Sequence, residues 1–301
     1  MSEAAPQIAA PTRLQTTSWI LYDLANTIYS ATVTYLLGRY IQSATWLGAT
    51  TTLSMLTAAL GTPLFASIAD RTGRAGRYCT VTTLVCIAGM AYFGIGDAVF
   101  GLLLAYFIAN VCYQAALVFY NSLLPSVATA EHMGVVSGLG VGLGYLGSAF
   151  TLAILLPVKA AWGWKPAFLT GAAVFLAVAL PCMLFVRDRR HITPEKISRG
   201  LVRRQWRELM NTVLSLPRYP RLMWFLAANF FAVDVLNTAI LFYGRLVEKS
   251  FEGLLLTGPV PVFGMQITKM DHLVIVAGIA VTVPALGFGL LLGYLADRLG
   301  S

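Results

Sequence analysis

The stretch Trp19-Ile-Leu-Tyr22-Asp23-Leu-Ala-Asn26-Thr27-Ile-Tyr-Ser30 decides the fold, because it sets an acid inside an apolar run long enough to cross a bilayer. A carboxylate at membrane depth costs about 2.5–3.5 kcal/mol on insertion scales, so such a group faces a protein interior or a wet cavity. Asp23, Asn26, Thr27, Ser30 and Thr34 stand at offsets 0, 3, 4, 7 and 11, which collects them on one side of a helix. The same word returns as Asp234-Val-Leu-Asn237-Thr238 inside a second apolar run. One polar-striped helix has been used twice.

Working outward, the composition agrees with a polytopic membrane protein. Of 301 residues, 57% are hydrophobic and only 11% charged, where a soluble domain carries about 25% charged residues. Apolar runs of about 20 residues fall near 18–41, 45–69, 78–97, 98–124, 134–157, 165–186, 222–246 and 273–296. These divide the chain into a cytoplasmic tail (1–17), a six-helix N-terminal bundle (18–186), a basic cytoplasmic linker (187–221) and the first two helices of a second bundle (222–301). The class expected is all-α. Cys79, Cys86, Cys112 and Cys182 lie in or beside apolar segments with no metal-ligand spacing and read as small core residues.

The 21 Lys and Arg residues give the orientation. Ten lie between Arg187 and Arg221, three in Arg71–Arg77, and one each at Arg13 and Arg298; these share one side of the membrane, against six on the other. The positive-inside rule then places the N-terminus in the cytoplasm and explains the net charge of +8 without nucleic acid. Within the linker, Thr193 and Pro194 suit a helix start. From there to Leu216 the residues Ile197, Leu201, Trp206, Leu209, Val213 and Leu216 form an apolar side against Arg199, Arg203 and Arg207. Such a helix lies either in the membrane interface or in solvent as a linker.

A second word also repeats. Asp70-Arg71-Thr-Gly73-Arg74 follows the second run and Asp297-Arg298-Leu-Gly300 follows the eighth, in the same order as the two Asp-x-x-Asn-Thr words. A duplicated block of this kind points to a transporter built from repeats. The turns at Asp70 and Asp297 resemble the signature loop of the major facilitator superfamily. Trp19-x-x-Tyr22-Asp23-x-Ala25-Asn26, Phe119-Tyr120-Asn121-Ser-Leu-Leu-Pro125 and Val136-Ser137-Gly138-Leu-Gly140-x-x-Leu-Gly144-Tyr145-Leu146-Gly147 resemble a narrower branch. That branch is the vacuole-effluxer-like permeases related to autophagy amino-acid exporters.

The resemblance implies a fold of about twelve helices, so four more are expected beyond Ser301. It implies that helices one and seven line a central cavity, with Asp23 and Asp234 facing one another as protonatable or cation-pairing groups. Asn26, Ser30 and Asn237 would then add polar contacts to a solute. Asn110, Gln114, Tyr120 and Asn121 on the fourth run, with Asn110, Gln114 and Asn121 at offsets 0, 4 and 11, are either cavity lining or interhelical glue. Asp70, Arg71, Gly73 and Arg74, with Asp297 and Arg298, would form a gating loop. Gly142-x-Gly144-x-x-Gly147 matches a dinucleotide fingerprint but lacks the strand and βαβ unit that motif needs. Gly140, Gly144 and Gly147 read instead as a face for close helix packing.

No catalytic constellation, cofactor motif or metal cluster is visible, so the chain does not read as an enzyme. The function expected is secondary transport of a small polar solute, with protons coupled and amino-acid efflux implied by the resemblance. Its rivals are transport of an inorganic or metal ion, and a non-transporting scaffold docking partners through Arg187–Arg221.

Overall fold

The computed structural model describes residues 11–188 and 199–228, then scattered positions of the second block from 231 to 276. Six long helices make the first block: α1 (Arg13–Ala31), α2 (Ala44–Thr72), α3 (Ala75–Phe93), α4 (Val99–Ser122), α5 (Met133–Trp162) and α6 (Trp164–Phe185). The helix α7 (Arg199–Ser215) follows. Each of the six corresponds to one apolar run of the sequence. Four of them (α2, α4, α5 and α6) are long and apolar enough to cross a membrane by length and composition. Their outward faces carry exposed leucines such as Leu53, Leu56, Leu104, Leu139 and Leu176, the surface that lipid covers.

The first helix starts at Arg13, inside the segment read from sequence as a tail. Thr12 and Gln15 form a reciprocal capping box, with Gln15 N donating to Thr12 Oγ1 at 3.3 Å and Thr12 N to Gln15 Oε1 at 3.2 Å. Polar capping residues lie outside an apolar window, so hydropathy alone starts the helix too late. Near its other end α1 widens into a π-helical segment, Thr32–Leu37, before a last turn at Gly38–Tyr40. Upstream, the hydroxyls of Thr27, Ser30 and Thr32 donate to the carbonyls of Asp23, Thr27 and Ile28. Such back-bonding competes with the helical ladder and loosens it, and wide π turns gather at functional sites.

The packing has an internal symmetry that no repeated word announces. Helix α1 packs on α5 and α6, α4 packs on α2 and α3, and α3 meets α6. Exchanging the first three helices for the second three maps this pattern onto itself, and the exchanged helices run in opposite directions. The bundle is therefore two inverted three-helix units with α1 and α4 as counterparts. At one face the start of α1 meets the ends of α5's lead-in and of α6: Thr16 Oγ1 donates to Val127 O at 2.7 Å and Gln15 Nε2 to Phe185 O at 3.3 Å.

At the opposite face Trp164 is held between cations, with Lys159 Nζ 4.7 Å and Arg39 Cζ 5.8 Å from the ring centroid. Lys165 Nζ reaches Asp97 Oδ1 at 2.5 Å there, closing the α3–α4 connection onto α6.

The linker helix α7 makes a contact that its sequence does not announce. It docks on the end of α2: Ser67 Oγ donates to Gln205 Oε1, with Gln205 buried, and Arg71 Nη2 lies 3.4 Å from Glu208 Oε2. Trp206, Met210 and Leu214 remain exposed at i, i+4 and i+8. The Thr193–Pro194 start lies outside the described residues. In the second block, residues 220–228 and Phe231, Val235, Phe242, Arg245 and Leu246 are helical, starting two residues ahead of the run at 222–246. A short antiparallel hairpin, β1 (Val260–Val262) with β2 (Met265–Ile267), stands where the sequence reads as a plain loop.

Candidate functional site

The site is built on α1. Asp23 lies ten residues into a helix that starts at Arg13, hence about 15 Å along it at 1.5 Å per residue. Its partner surface is the glycine face of α5. A Cβ placed on Gly140 would lie 3.2 Å from Trp19 Cζ3, 3.3 Å from the Tyr120 hydroxyl and 3.6 Å from Asp23 Oδ2. A Cβ on Gly144 would lie 3.2 Å from Asp23 Oδ2 and 3.3 Å from Thr27 Oγ1. On Gly147 it would meet Thr27 Cβ at 2.9 Å and Leu24 O at 3.0 Å. The glycines thus let the backbone of α5 approach the polar face of α1. Among the described residues no cation forms an ion pair with Asp23.

A quarter-turn round α1, Tyr22, Asn26 and Tyr29 form a second face at offsets 0, 4 and 7, all buried. Aromatic rings of α4 frame it. Tyr120 stacks on Trp19 with centroids 4.3 Å apart and contacts Tyr22 at 5.0 Å, and Tyr113 contacts Tyr29 at 4.8 Å. Trp19 Nε1 donates to Tyr120 O at 3.0 Å, and the Tyr22 hydroxyl shares a hydrogen bond with Thr83 of α3. Asn26 is 2% exposed, and neither its Nδ2 nor its Oδ1 has a hydrogen-bond partner among the described residues; the Tyr29 and Tyr120 hydroxyls are in the same condition. Trp19, Tyr22, Tyr29 and Tyr113 were not singled out as lining residues from sequence, although Tyr113 and Tyr120 are seven apart and share a face.

The remaining candidates separate. Ser30 is half-buried and donates to Thr27 O at 3.1 Å. Asn110 Nδ2 donates to Ser54 Oγ at 2.8 Å, both groups buried, which ties α4 to α2. Gln114 Nε2 points to Met55 Sδ at 3.3 Å on the same helix pair. Asn121 is exposed at the end of α4, away from these contacts. In the turn after α2, Gly73 adopts φ 61° and ψ 30° and donates to Ala69 O at 3.0 Å, a left-handed cap that suits glycine. Asp70 and Arg74 are exposed, and Arg71 is engaged with Glu208 of α7. Asp234, Asn237, Asp297 and Arg298 lie outside the described residues.

Among the described residues, Arg245 is one that ties the second block to the first. Its Nε donates to Gly38 O at 2.5 Å and its Nη2 to Ile41 O, the carbonyls that end the first helix. Phe242 packs beside it, with Arg245 Cζ 5.9 Å from its ring centroid.

The chain is 29% identical over 252 residues to the uncharacterized MFS-type transporter YxiO of Bacillus subtilis (strain 168), a match covering 75% of this chain and 58% of that protein. It thus spans a little over half the length of that relative. A 53-residue stretch is 47% identical to an uncharacterized protein of Aquifex aeolicus (strain VF5), covering 18% of this chain and 13% of that one. The fold resembles that of a bacterial homologue of the human drug peptide transporters PepT1 and PepT2, with a TM-score of 0.52 at 13% identity, over 93% of this chain and 71% of the other. The sequence profile of the Major Facilitator Superfamily matches residues 16–301. With its apolar helices, this makes the protein an integral multi-pass membrane protein, and the chain belongs to the Major Facilitator Superfamily.

Proposed function

We propose that the protein is a secondary transporter that moves a small polar solute by alternating access, using the polar faces of α1 as its binding seam. The observation that carries this reading is Asn26, an enclosed amide with two unpartnered polar atoms, one turn from the carboxylate of Asp23. Leaving a buried donor or acceptor unmade costs about 1–3 kcal/mol. A helix kept only for packing gains nothing to offset that cost, whereas a solute that accepts and donates there does.

The words at Trp19–Asn26 and Phe119–Pro125 favour the vacuole-effluxer-like branch, and with it a neutral amino acid moved out of the cytoplasm. The ammonium group of such a solute pairs with Asp23, and Asn26 serves its carboxylate. Protons couple through Asp23 and its counterpart Asp234. The basic face holding Arg71, Arg74 and the linker is cytoplasmic, with the Asp70 and Asp297 turns as its gate and α7 lying along the interface. At the opposite face Arg245 ties the second block to the end of the first helix.

The experiment is counterflow in liposomes carrying the full-length protein, run with a panel of labelled neutral amino acids. At least one is expected to exchange, with Asn26→Leu lowering that exchange tenfold or more while the protein stays folded. Exchange of none of the panel would sink the substrate class; unchanged exchange by Asn26→Leu would remove Asn26 from the site.

A further inference from the structure

A second feature lies at the face where α2 turns into α3. The turn, the first residues of α3 and the chain leaving α6 enclose a cavity of about 620 Å³. Three of its lining residues are arginines, Arg74, Arg77 and Arg187, against a single acid, Asp188. None of the three guanidinium groups has an ion-pair or hydrogen-bond partner among the described residues. Topology alone accounts for cations on this side of the membrane. It does not account for arginines from opposite ends of the bundle's sequence converging on one cavity.

The rest of the lining has two characters. On one side the first turn of α3 presents backbone N–H groups with no side-chain cap at Arg74, and Thr80 adds a hydroxyl. Here Gly76 lets α3 press against the chain leaving α6, since a Cβ would lie 3.1 Å from Val186 O. On the other side Met183 and Leu184 line the cavity, and Leu184 continues into the exposed apolar strip of α6 with Leu180 and Phe185. Fork-shaped guanidinium donors and free N–H groups match the oxygens of a phosphate, and the apolar strip matches an acyl chain.

We propose that this cavity binds a phosphate group, carried by an anionic phospholipid of the adjoining leaflet or by free phosphate. The site holds the α2–α3 turn and the exit of α6 together, because both supply arginines to one anion.

The test is thermal unfolding of the delipidated full-length protein in detergent, titrated separately with phosphatidylglycerol, phosphatidylcholine and inorganic phosphate. Wild type is expected to be stabilised by phosphatidylglycerol and not by phosphatidylcholine. The Arg77→Gln/Arg187→Gln double variant should need at least tenfold more of it, while Arg203→Gln/Arg207→Gln on α7 behaves as wild type. Stabilisation by inorganic phosphate, with competition against the lipid, assigns the site to free phosphate; stabilisation by the lipid without competition assigns it to the headgroup. Should the double variant fail to fold, Arg187→Gln alone, at an exposed position, gives the same comparison with a smaller shift. Equal responses of wild type and the Arg187 variants, or no response of wild type to either anion, overturn the proposal.

Discussion

Gly144 of α5 passes so close to Asp23 of α1 that a methyl group on it would sit 3.2 Å from the carboxylate oxygen Oδ2. The acid is therefore not simply buried in a helix bundle. It is faced by bare backbone, which leaves its oxygens close to α5 without a side chain to cover them.

The glycine face predicts a graded response to added methyls. At Gly147 a Cβ would meet Thr27 Cβ at 2.9 Å and the rigid Leu24 carbonyl at 3.0 Å, while at Gly144 its neighbours stand at 3.2 Å and beyond. Gly147→Ala should thus cost about 1–3 kcal/mol as overpacking, and Gly144→Ala less. Thermal unfolding in detergent reads the order, and a reversed order would contradict the α1–α5 approach.

The Asn110–Ser54 bond predicts a coupling between α4 and α2. Interhelical hydrogen bonds in membranes average about 0.6 kcal/mol and reach about 1.7. A double-mutant cycle with Asn110→Ala and Ser54→Ala should return a value in that range, and transport should fall no further than stability does. Loss of solute affinity in Asn110→Ala would instead move Asn110 into the binding seam.

The docking of α7 predicts a salt-sensitive contact. The Arg71–Glu208 pair is part-exposed on both sides, at 33% and 52%, so it is worth about 0.2–1 kcal/mol and weakens with salt. Glu208→Lys should speed hydrogen exchange across Arg199–Ser215, and the swap Arg71→Glu with Glu208→Arg should restore protection. The buried Ser67–Gln205 contact sets the position, so Gln205→Ala should expose the helix more than Glu208→Gln does.

Trp164 predicts an aromatic anchor at the opposite face. Two cations lie over its ring, each worth about 0.5–1 kcal/mol at an exposed site. Trp164→Ala should lower the melting temperature more than Trp164→Phe. A Lys159→Gln variant that melts as wild type does would mean that packing on Phe168 and Tyr40, not the cation, is what matters.

The helices were legible because membrane spans announce themselves by length and apolar content, and the run bounds at 97, 98 and 124 fall within a few residues of the observed ends at Phe93, Val99 and Ser122. The start of α1 was not, since Thr12 and Gln15 act through capping geometry and add nothing to hydropathy. The π segment was hidden for a similar reason: the hydroxyls at 27 and 30 read as part of a polar stripe, and the back-bonding of Thr27, Ser30 and Thr32 appears only once the helix exists. Asp23 stood out as a lone acid in an apolar run. Apart from Tyr120, its aromatic surroundings did not, because a residue such as Tyr113 belongs to α4 and reaches α1 only through the fold. The inverted three-helix symmetry left no shared word, since packing partners and not residue identities repeat.

The most direct measurement is solute flux driven by a pH gradient in liposomes containing the full-length protein, comparing wild type with Asp23→Asn. If α1 carries the coupling group, wild type responds to the gradient, and whatever exchange the variant keeps at equal pH, weakened by the loss of the carboxylate, no longer follows the gradient. An Asp23→Asn protein that follows the gradient as wild type does would contradict the role given to this seam.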